Sequence, residues 1–293
     1  GSAFDLALLD AELGAFIGQA AKRFLRGERA HLVASHGHTI FHQPGLGFTL
    51  QIGSGARIAA LTGITTVCDF RAADVAAGGQ GAPLVPVGER LLFPRFRAFL
   101  NVGGICNISL HGPEKVAGYD VCIGNQALNL LAQGAGKDYD ANGRLARSGS
   151  VNEPLLAALN ALPFHRQEPP RSLGREWFDE QLRPLIDGTR VPLADRLRTV
   201  VEHIAVQAGS SLGPAEGPVL VTGGGARNAF LVERIQAHAR APLVVPDRLT
   251  VDFKEALVFA LLGVLRMRGE ANTLASVTGA KRDCVGGAVH LPG

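Results

Sequence analysis

The glycines of the segment Thr222-Gly-Gly-Gly-Ala-Arg-Asn228 are well suited to contact a ligand. They follow a short apolar run at residues 218–222, typical of a buried strand, and precede an amphipathic pattern at residues 229–240, typical of a helix. Glycine permits positive φ and lacks the Cβ atom that would hold a base or a phosphate away from the backbone. Gly223, Gly224 and Gly225 therefore form either a nucleotide-binding turn or an ordinary strand-to-helix turn.

A second candidate for chemistry is Asp120, which follows a β-like segment at residues 116–119. An aspartate at a strand end can act as the general base for a water or hydroxyl that attacks carbon or phosphorus. The alternative is structural, since Asp120 also suits the N-cap of the helix predicted to start near Asn125.

Gly103 and Gly104 lie between two apolar runs, residues 96–102 and 105–110, which together predict a β-hairpin. Backbone N–H groups at such a tip can cradle a phosphate. An ordinary glycine hairpin turn explains the same pattern.

Polar residues also follow the strands predicted at residues 31–35 and 65–68, where the chain reads Ser35-His36-Gly37 and Asp69-Phe70-Arg71. Ligands of open α/β sheets bind beyond the carboxyl ends of the strands, so these loops are expected to converge. Arg71 and Asp74 either grip a sugar or a phosphate, or pair with each other on the surface.

Histidines are clustered at His36, His38 and His42, a pattern that raises the question of zinc. No carboxylate or cysteine stands at ligand spacing around them, which argues against a metal site. Glu255 lies near the start of a helix predicted at residues 254–268, where the helix dipole accounts for it. It bears on a ligand only if that helix begins at the site.

These residues require an α/β scaffold, and the chain alternates predicted strands and helices throughout. A first helix is predicted at residues 7–26 with Leu8, Leu9, Leu13, Phe16, Ile17 and Phe24 on one side. Further helices are predicted at residues 153–162 and 193–212. The domain boundary is placed near residue 96, with residues 1–96 completed by residues 271–293 as one domain and residues 97–270 as the other.

Composition sets the class of protein. The 293 residues are 46% hydrophobic and 19% charged, enough for a large core and two domains. A net charge of +3 with scattered basic residues does not indicate a nucleic-acid partner. The four cysteines form no CxxC pair and are interpreted as buried reduced thiols. No apolar stretch has membrane-spanning length, so a cytoplasmic protein without a membrane partner is expected.

Taken together, the motifs resemble the anhydro-N-acetylmuramic acid kinases, members of the actin, Hsp70 and hexokinase superfold. The resembling segments occur in the family's order over essentially the whole chain: residues 34–39, 69–83, 100–108, 119–125, 222–228, 252–256 and 276–280.

The resemblance implies an α/β fold with two RNase-H-like domains facing across a cleft, ATP on one wall and the sugar on the other. It implies that water opens the 1,6-anhydro bridge of the small-molecule amino sugar while O6 takes the γ-phosphate, giving N-acetylmuramic acid 6-phosphate in cell-wall recycling. Mg²⁺ would accompany ATP, because its charge offsets that of the phosphates. A homodimer is suggested by analogy alone.

Site roles are carried over residue by residue, with Asp120 as the base that activates the water. The resemblance assigns the phosphate and adenosine contacts to Gly103, Gly104, Asn107, Gly223, Gly224, Gly225 and Asn228. It assigns the sugar side to His36, Arg71, Asp74 and Glu255. No residue is assigned as a protein ligand of a metal.

Two departures from the family pattern stand out. Where the family usually has Asp-Thr-Gly-Pro-Gly-Asn, this chain has Asp120-Val-Cys-Ile-Gly-Asn125, which keeps the acid and the final Gly-Asn. The family's opening strand and Gly-Ser-Asp phosphate loop have no match before the first helix, so the first domain is expected to be incomplete at its N-terminus. Either the sequence omits an N-terminal segment or the protein is an incomplete kinase.

The leading hypothesis is therefore an ATP-dependent anhydro-sugar kinase. The alternative is a pseudokinase of the same fold that binds nucleotide or sugar without turnover, motivated by the unmatched front loop. A hexokinase-like kinase for another sugar is weaker, because the segment at residues 69–83 is particular to the anhydro-sugar family.

Overall fold

The computed structural model describes residues 1–113, 115–169 and 171–293. The strands are β1 (Val33–Ala34), β2 (His38–Gln43), β3 (Phe48–Ile52), β4 (Thr66–Cys68), β5 (Ala98–Val102), β6 (Ile105–His111), β7 (Val116–Ile123), β8 (Val219–Thr222), β9 (Leu243–Val244) and β10 (Ala288–His290). The helices are α1 (Ala3–Leu25), α2 (Gly55–Thr62), α3 (Ala72–Ala76), α4 (Val85–Leu92), α5 (Asn125–Gln133), α6 (Arg144–Ser148), α7 (Glu153–Asn160), α8 (Arg175–Trp177), α9 (Arg183–Asp187), α10 (Leu193–Ser211), α11 (Ala229–His238), α12 (Arg248–Arg268) and α13 (Ala275–Thr278). Single helical turns lie at Pro44–Leu46, Ala141–Gly143, Pro163–Arg166, Phe178–Leu182 and Gly224–Arg227.

The chain divides into two compact units. Unit 1 comprises Gly1–Phe93 and Glu255–Gly293, and unit 2 comprises Pro94–Lys254, so the division falls within α12. Across the ranges that the structure describes, no helix combines the length and the apolar character needed to cross a lipid bilayer.

Unit 1 contains a small mixed sheet in the order β1-β4-β10 and a separate hairpin of β2 and β3. Strand β1 runs parallel to β4, whereas β10 runs antiparallel along the other side of β4. This sheet therefore combines strands from both ends of the chain.

Helix α1 begins earlier than its apolar pattern predicts and buries a different face. Ser2 and Asp5 form a capping box that starts the helix at Ala3. The buried positions are Gly14 and Gly18, whose missing side chains allow close packing against α2. Of the predicted apolar side, Leu13 and Ile17 are half-buried, whereas Leu8, Leu9, Phe16 and Phe24 are exposed.

Unit 2 is built on a sheet whose described strands lie in the order β7-β6-β5-β8-β9. Strands β5, β8 and β9 are parallel, and β6 is antiparallel to both β5 and β7. Consequently β5, β7, β8 and β9 all end at the same edge of the sheet. That edge collects the loops that carry the predicted nucleotide motifs.

Helices α10 and α11 pack together beside this sheet and are joined by one buried carboxylate. Glu202 receives hydrogen bonds from Arg234 Nε and Nη2, both at 2.9 Å, and lies 2.7 Å from His238 Nε2. Burial alone would raise the pKa of Glu202, but these hydrogen bonds and ion pairs outweigh it and lower that pKa. The carboxylate is therefore ionised and fully engaged.

Candidate functional site

The predicted hairpin of β5 and β6 is confirmed, and its tip is fastened to the start of α5. The main-chain N–H groups of Gly124 and Asn125 donate to the carbonyl oxygens of Gly104 and Gly103, both at 2.8 Å. The side-chain amide of Asn125 donates to the carbonyl oxygen of Val102 at 3.2 Å. Gly104 is exposed, so its backbone is accessible to a ligand at the carboxyl edge of the sheet.

The three glycines after β8 have different surroundings. Gly223 has φ of 84°, and a Cβ there would lie 2.7 Å from both Asn101 Oδ1 and the Val102 carbonyl oxygen. Gly225 is buried against the Val102 side chain, whereas Gly224 is exposed. Gly223 and Gly225 thus bring this turn close to the end of β5, and Gly224 offers its backbone to a ligand.

The side chain of Asn228 is occupied by a helix cap. Its Oδ1 atom accepts the Leu231 N–H at 3.1 Å at the start of α11. A side chain at Gly143 would overlap the same oxygen. The side chain of Asn228 therefore shapes the turn and the beginning of α11.

A cavity of about 480 Å³ opens beside the glycine turn, where β8 and β9 end. This volume falls within the range of small-molecule sites. Its walls combine apolar and basic side chains: Ala226, Arg227, Val245, Pro246, Arg248 and Val251. The sequence alone did not identify the cavity residues that follow β9. Because β9 is the parallel neighbour of β8, the loop after it lies at the same edge of the sheet and could have been expected to line the same cavity.

Polar residues form a row across four adjacent strands of unit 2. Asp120 on β7 pairs with Asn107 on β6, Asn107 with Asn101 on β5, and Asn101 with Thr222 on β8. Cross-strand partners point to the same face of a sheet, so these side chains share one face. The Thr222 hydroxyl is buried and has no hydrogen-bond partner within the described protein, which leaves it available to a small polar ligand or water.

Asp120 lies inside β7, which continues to Ile123, and not at a strand end as predicted. The N-cap alternative is also wrong, because Gly124 occupies the cap of α5 and no side chain caps it. Instead Asp120 Oδ2 accepts the Leu173 N–H at 2.8 Å. Burial raises the pKa of Asp120, and the Leu173 hydrogen bond and the Arg171 charge partly offset this rise.

In unit 1, His36 and Arg71 form a hydrogen-bonded pair. Arg71 Nη2 and Nε lie 2.8 Å and 3.2 Å from His36 Nε2. A guanidinium only donates, so His36 carries its proton on Nδ1, which donates to the Gly37 carbonyl oxygen at 3.2 Å. Burial, and then the Arg71 charge, lowers the pKa of His36. The charge of Glu255 acts to raise the pKa of both His36 and Arg71. The pair therefore presents a neutral imidazole and a cation.

Asp74 is fully buried and braces the loop that follows α3. Its Oδ2 atom accepts the Gly81 N–H and its Oδ1 atom accepts the Thr278 hydroxyl, both at 2.8 Å. Glycine is required at Gly79 because a Cβ there would overlap the same carboxylate. The surface-pair alternative is wrong, because Arg71 donates to His36 and, at 2.6 Å from Nη1, to the Gly81 carbonyl oxygen.

Glu255 does not stand in the first turn of its helix. Helix α12 begins at Arg248 instead of Lys254, after Asp247 Oδ1 accepts the Thr250 N–H at 3.1 Å. The dipole explanation for Glu255 is therefore wrong. Glu255 is exposed and acts electrostatically on His36 and Arg71.

His42 belongs to the same group of side chains, although sequence reasoning considered it only as a metal ligand. Its Nδ1 atom lies 3.1 Å from Thr49 Oγ1 across the β2–β3 hairpin. Burial and then the Arg71 charge lower the pKa of His42, and the backbone of Gln80 opposes them. The pairing of β2 with β3 places His42 opposite Thr49, a contact that the spacing of the histidines along the chain does not indicate.

Comparison with known proteins places these features in context. The family model described as anhydro-N-acetylmuramic acid kinase matches residues 3–292. A protein named anhydro-N-acetylmuramic acid kinase from Pseudomonas fluorescens (strain Pf0-1) is 41% identical over 283 residues, covering 91% of this chain and 77% of that protein. One of the same name from Gloeobacter violaceus is 40% identical over 282 residues, covering 89% of this chain and 74% of that protein.

Among solved structures, the activator of the 2-hydroxyisocaproyl-CoA dehydratase from Clostridium difficile with bound ADPNP overlaps 76% of this chain and 88% of its own. The TM-score is 0.42 and the sequence identity 15%. An overlap of this quality carries no conclusion about the site.

Proposed function

Since this chain belongs to the anhydro-N-acetylmuramic acid kinase family and is a kinase of that class, we propose how its residues divide the reaction. Water adds to the anomeric carbon of 1,6-anhydro-N-acetylmuramic acid and the bond from that carbon to O6 breaks. O6 takes the γ-phosphoryl group of ATP, and ADP leaves. The products are N-acetylmuramic acid 6-phosphate and ADP, and the proton lost by the water passes to Asp120.

The observation that carries this proposal is the carboxylate of Asp120. One of its oxygens, Oδ2, is fixed by the Leu173 N–H, and within the described chain no hydrogen bond is formed by Oδ1. A general base needs this combination of a fixed orientation and an accepting oxygen that remains available. Its raised pKa also makes it a better proton acceptor than an exposed aspartate.

The phosphates of ATP are assigned to the carboxyl edge of the unit 2 sheet. The exposed backbones of Gly104 and Gly224 supply N–H groups, and Gly223 and Gly225 allow their turn to lie close to the end of β5. The nucleoside is assigned to the 480 Å³ cavity beside Arg227. The strand order β7-β6-β5-β8-β9 supports an RNase-H-like domain for this unit.

Mg²⁺ fits this edge as a partner of the phosphates. Asn101 provides an oxygen donor of the kind that Mg²⁺ prefers, and Mg²⁺ commonly relies on few protein ligands plus phosphate and water. When bound, it would offset the negative charge of the transferring phosphoryl group. Asn101 would hold it, and the free oxygen of Asp120 stays available to the attacking water.

The amino sugar is assigned to the cluster in unit 1. Arg71 suits the lactyl carboxylate of a muramyl sugar, because a guanidinium hydrogen-bonds carboxylates strongly. His36 and Glu255 supply further polar groups, and the buried Asp74 acts by holding the loop that positions Arg71. Asp74 thus contributes to sugar binding through the loop and not through direct contact.

A labelling experiment tests the reaction. The protein is incubated with ATP, Mg²⁺ and the anhydro sugar in H₂¹⁸O, and the product is examined promptly by mass spectrometry. We expect one ¹⁸O on the anomeric carbon and none in the phosphoryl group. Nucleotide binding without product would instead favour the pseudokinase.

The assignment of the base is tested with Asp120→Asn, which keeps the shape but cannot accept the proton. Its turnover should fall by at least about 10²-fold, the usual contribution of a general base. Asp179→Asn is the matched control, because Asp179 is a partly exposed carboxylate of unit 2 that pairs with Arg175 and Arg183 along its own helical stretch. Equal turnover in Asp120→Asn and the control would remove Asp120 from this role.

A further inference from the structure

Arg171 gathers four main-chain carbonyl groups around one guanidinium. Its Nε atom donates to the carbonyl oxygen of Asp120 at 3.1 Å. Its Nη1 atom donates to those of Phe164 and His165, both at 3.3 Å, and of Gln167 at 2.8 Å. The side chain thus ties β7 to the turn at Pro163–Arg166 and to the chain that follows it.

Two aromatic rings also pack against this guanidinium. Its central carbon lies 5.3 Å from the ring centre of Tyr119 and 5.0 Å from that of Phe164. Tyr119 directly precedes Asp120 in β7. A planar guanidinium can stack on both rings and donate to several carbonyl groups at once, which a lysine ammonium cannot do.

The backbone around Arg171 holds Asp120 from a second direction. The Asp120 N–H donates to the Arg171 carbonyl oxygen at 3.0 Å, and two residues later the Leu173 N–H donates to Asp120 Oδ2 at 2.8 Å. The residue that grips the Asp120 carbonyl therefore lies in the segment that fixes the Asp120 carboxylate. Displacement of Arg171 would move both contacts together.

We propose that Arg171 is a positioning residue for the reaction: it clamps the segment 171–173 onto β7 so that the Leu173 N–H aims the carboxylate of Asp120. This inference rests on the proposed role of Asp120 as the base. Arg171 itself touches neither sugar nor nucleotide in this assignment.

The clamp has an electrostatic consequence as well as a geometric one. The Leu173 hydrogen bond and the Arg171 charge lower the pKa of Asp120 against the effect of burial. Cys122 is also close to Asp120, but its hydrogen bond with Cys106 and then its burial raise the pKa of this thiol well above its ordinary value, so it stays neutral. Loss of Arg171 should therefore raise the pKa of Asp120 and leave the base protonated over more of the acid range.

The test compares Arg171→Met, which removes the charge and the hydrogen bonds, with Arg171→Lys, which keeps the charge alone. The pH profile of kcat/KM and the separate values of kcat and KM for ATP are measured for both. For Arg171→Met we expect the acid limb to move up by about 1 pH unit. We also expect kcat to fall at least about 10-fold with little change in KM for ATP. Arg171→Lys should lower kcat with a smaller shift of the acid limb.

Arg183→Met is the matched control, since Arg183 is a partly exposed arginine of unit 2 that pairs with Asp179 and Asp187. It should leave the pH profile unchanged. An acid limb that stays in place in both Arg171 variants, together with an unchanged kcat, would overturn the proposal. A rise in KM for ATP at unchanged kcat would also overturn it, because it would make Arg171 a nucleotide-binding residue.

Folding and the role of Asp120 are controlled separately. Fluorescence of the single tryptophan, Trp177, reports whether unit 2 is folded in each variant. If Arg171→Met does not fold, the pH profile and the kcat of Arg171→Lys test the proposal. If Asp120→Asn retains full turnover, the assignment of the base has failed. If Asp120→Asn is inactive and the Arg171 profiles are normal, the clamp alone has failed.

Discussion

Lowering the pH from 7 to 5 should destabilise unit 2 through the buried histidines His203 and His165. The ring of His203, on α10, is fully buried, and its Nδ1 atom lies 2.7 Å from Asn160 Oδ1 while Nε2 has no partner in the described chain. The His165 ring lies 5.0 Å away, centre to centre, and is half-buried. Among the residues that the structure describes, no carboxylate acts on either ring to stabilise an added proton.

The magnitude follows from the pKa values. Burial, and then the neighbouring His165, lowers the pKa of His203 from 6.5 to about 3; burial and then Arg171 lower that of His165 to about 4. Both groups are neutral in the folded state, whereas the unfolded chain takes up protons below pH 6.5. The contribution of these neutral histidines to the free energy of unfolding is therefore fully present above pH 6.5 and is lost as the pH falls below it. Between pH 7 and pH 5 the loss is about 2 kcal/mol for His203, and less for the partly exposed His165.

Urea unfolding monitored by the fluorescence of Trp177 measures this loss, because the indole lies 6.4 Å from His165, centre to centre. Staying above pH 5 keeps most carboxylates ionised. In His203→Gln the difference between the two pH values should shrink by about 2 kcal/mol, whatever the absolute stability of the variant. His31→Gln, at an exposed histidine of unit 1, should keep the wild-type difference. An unfolding free energy of the wild type that is equal at pH 7 and pH 5 would refute the reasoning.

Three other substitutions test the loop, the core and the cavity. Gly79→Ala places a Cβ on the Asp74 carboxylate and should raise KM for the sugar in steady-state assays. The control is Gly45→Ala, whose added Cβ meets no atom within 4 Å and should leave KM unchanged. Equal KM values for the two variants would contradict the bracing role of Asp74. Glu202→Gln removes the carboxylate that pairs with Arg234 and should lower the free energy of urea unfolding by about 3 kcal/mol. An unchanged urea midpoint of unfolding would show that the ion pair between Glu202 and Arg234 adds no stability. Val245→Trp fills the cavity and should raise KM for ATP but not for the sugar. An unaltered affinity in nucleotide titrations would exclude this cavity as the nucleoside site.

Local patterns predicted the elements that depend on local chemistry. The glycine hairpin and the helix α10 were predictable because turn residues and helical periodicity act over a few positions. The start of α12 could also have been predicted, since Asp247 is a standard capping residue for the Thr250 N–H.

The environment of the site could not be predicted in the same way. Asp120 is held by Leu173, and Asp74 by Thr278, which are 53 and 204 residues away along the chain. No local spacing indicates such partners, because the donors are a main-chain N–H and a common hydroxyl. The family resemblance supplied the names of the site residues, but the contacts that orient them appear only in the folded chain.

The hydrogen bond between Asp74 and Thr278, together with the pairing of β4 with β10, also governs the order of folding during synthesis. Unit 2 is one continuous stretch, Pro94–Lys254, so all of its strands have been synthesised before the last part of unit 1 exists. The loop that positions Arg71 stays unbraced until Thr278 has left the ribosome. Unit 2 can therefore fold first, and the proposed sugar-binding loop acquires its structure after the strands of unit 2 have been made.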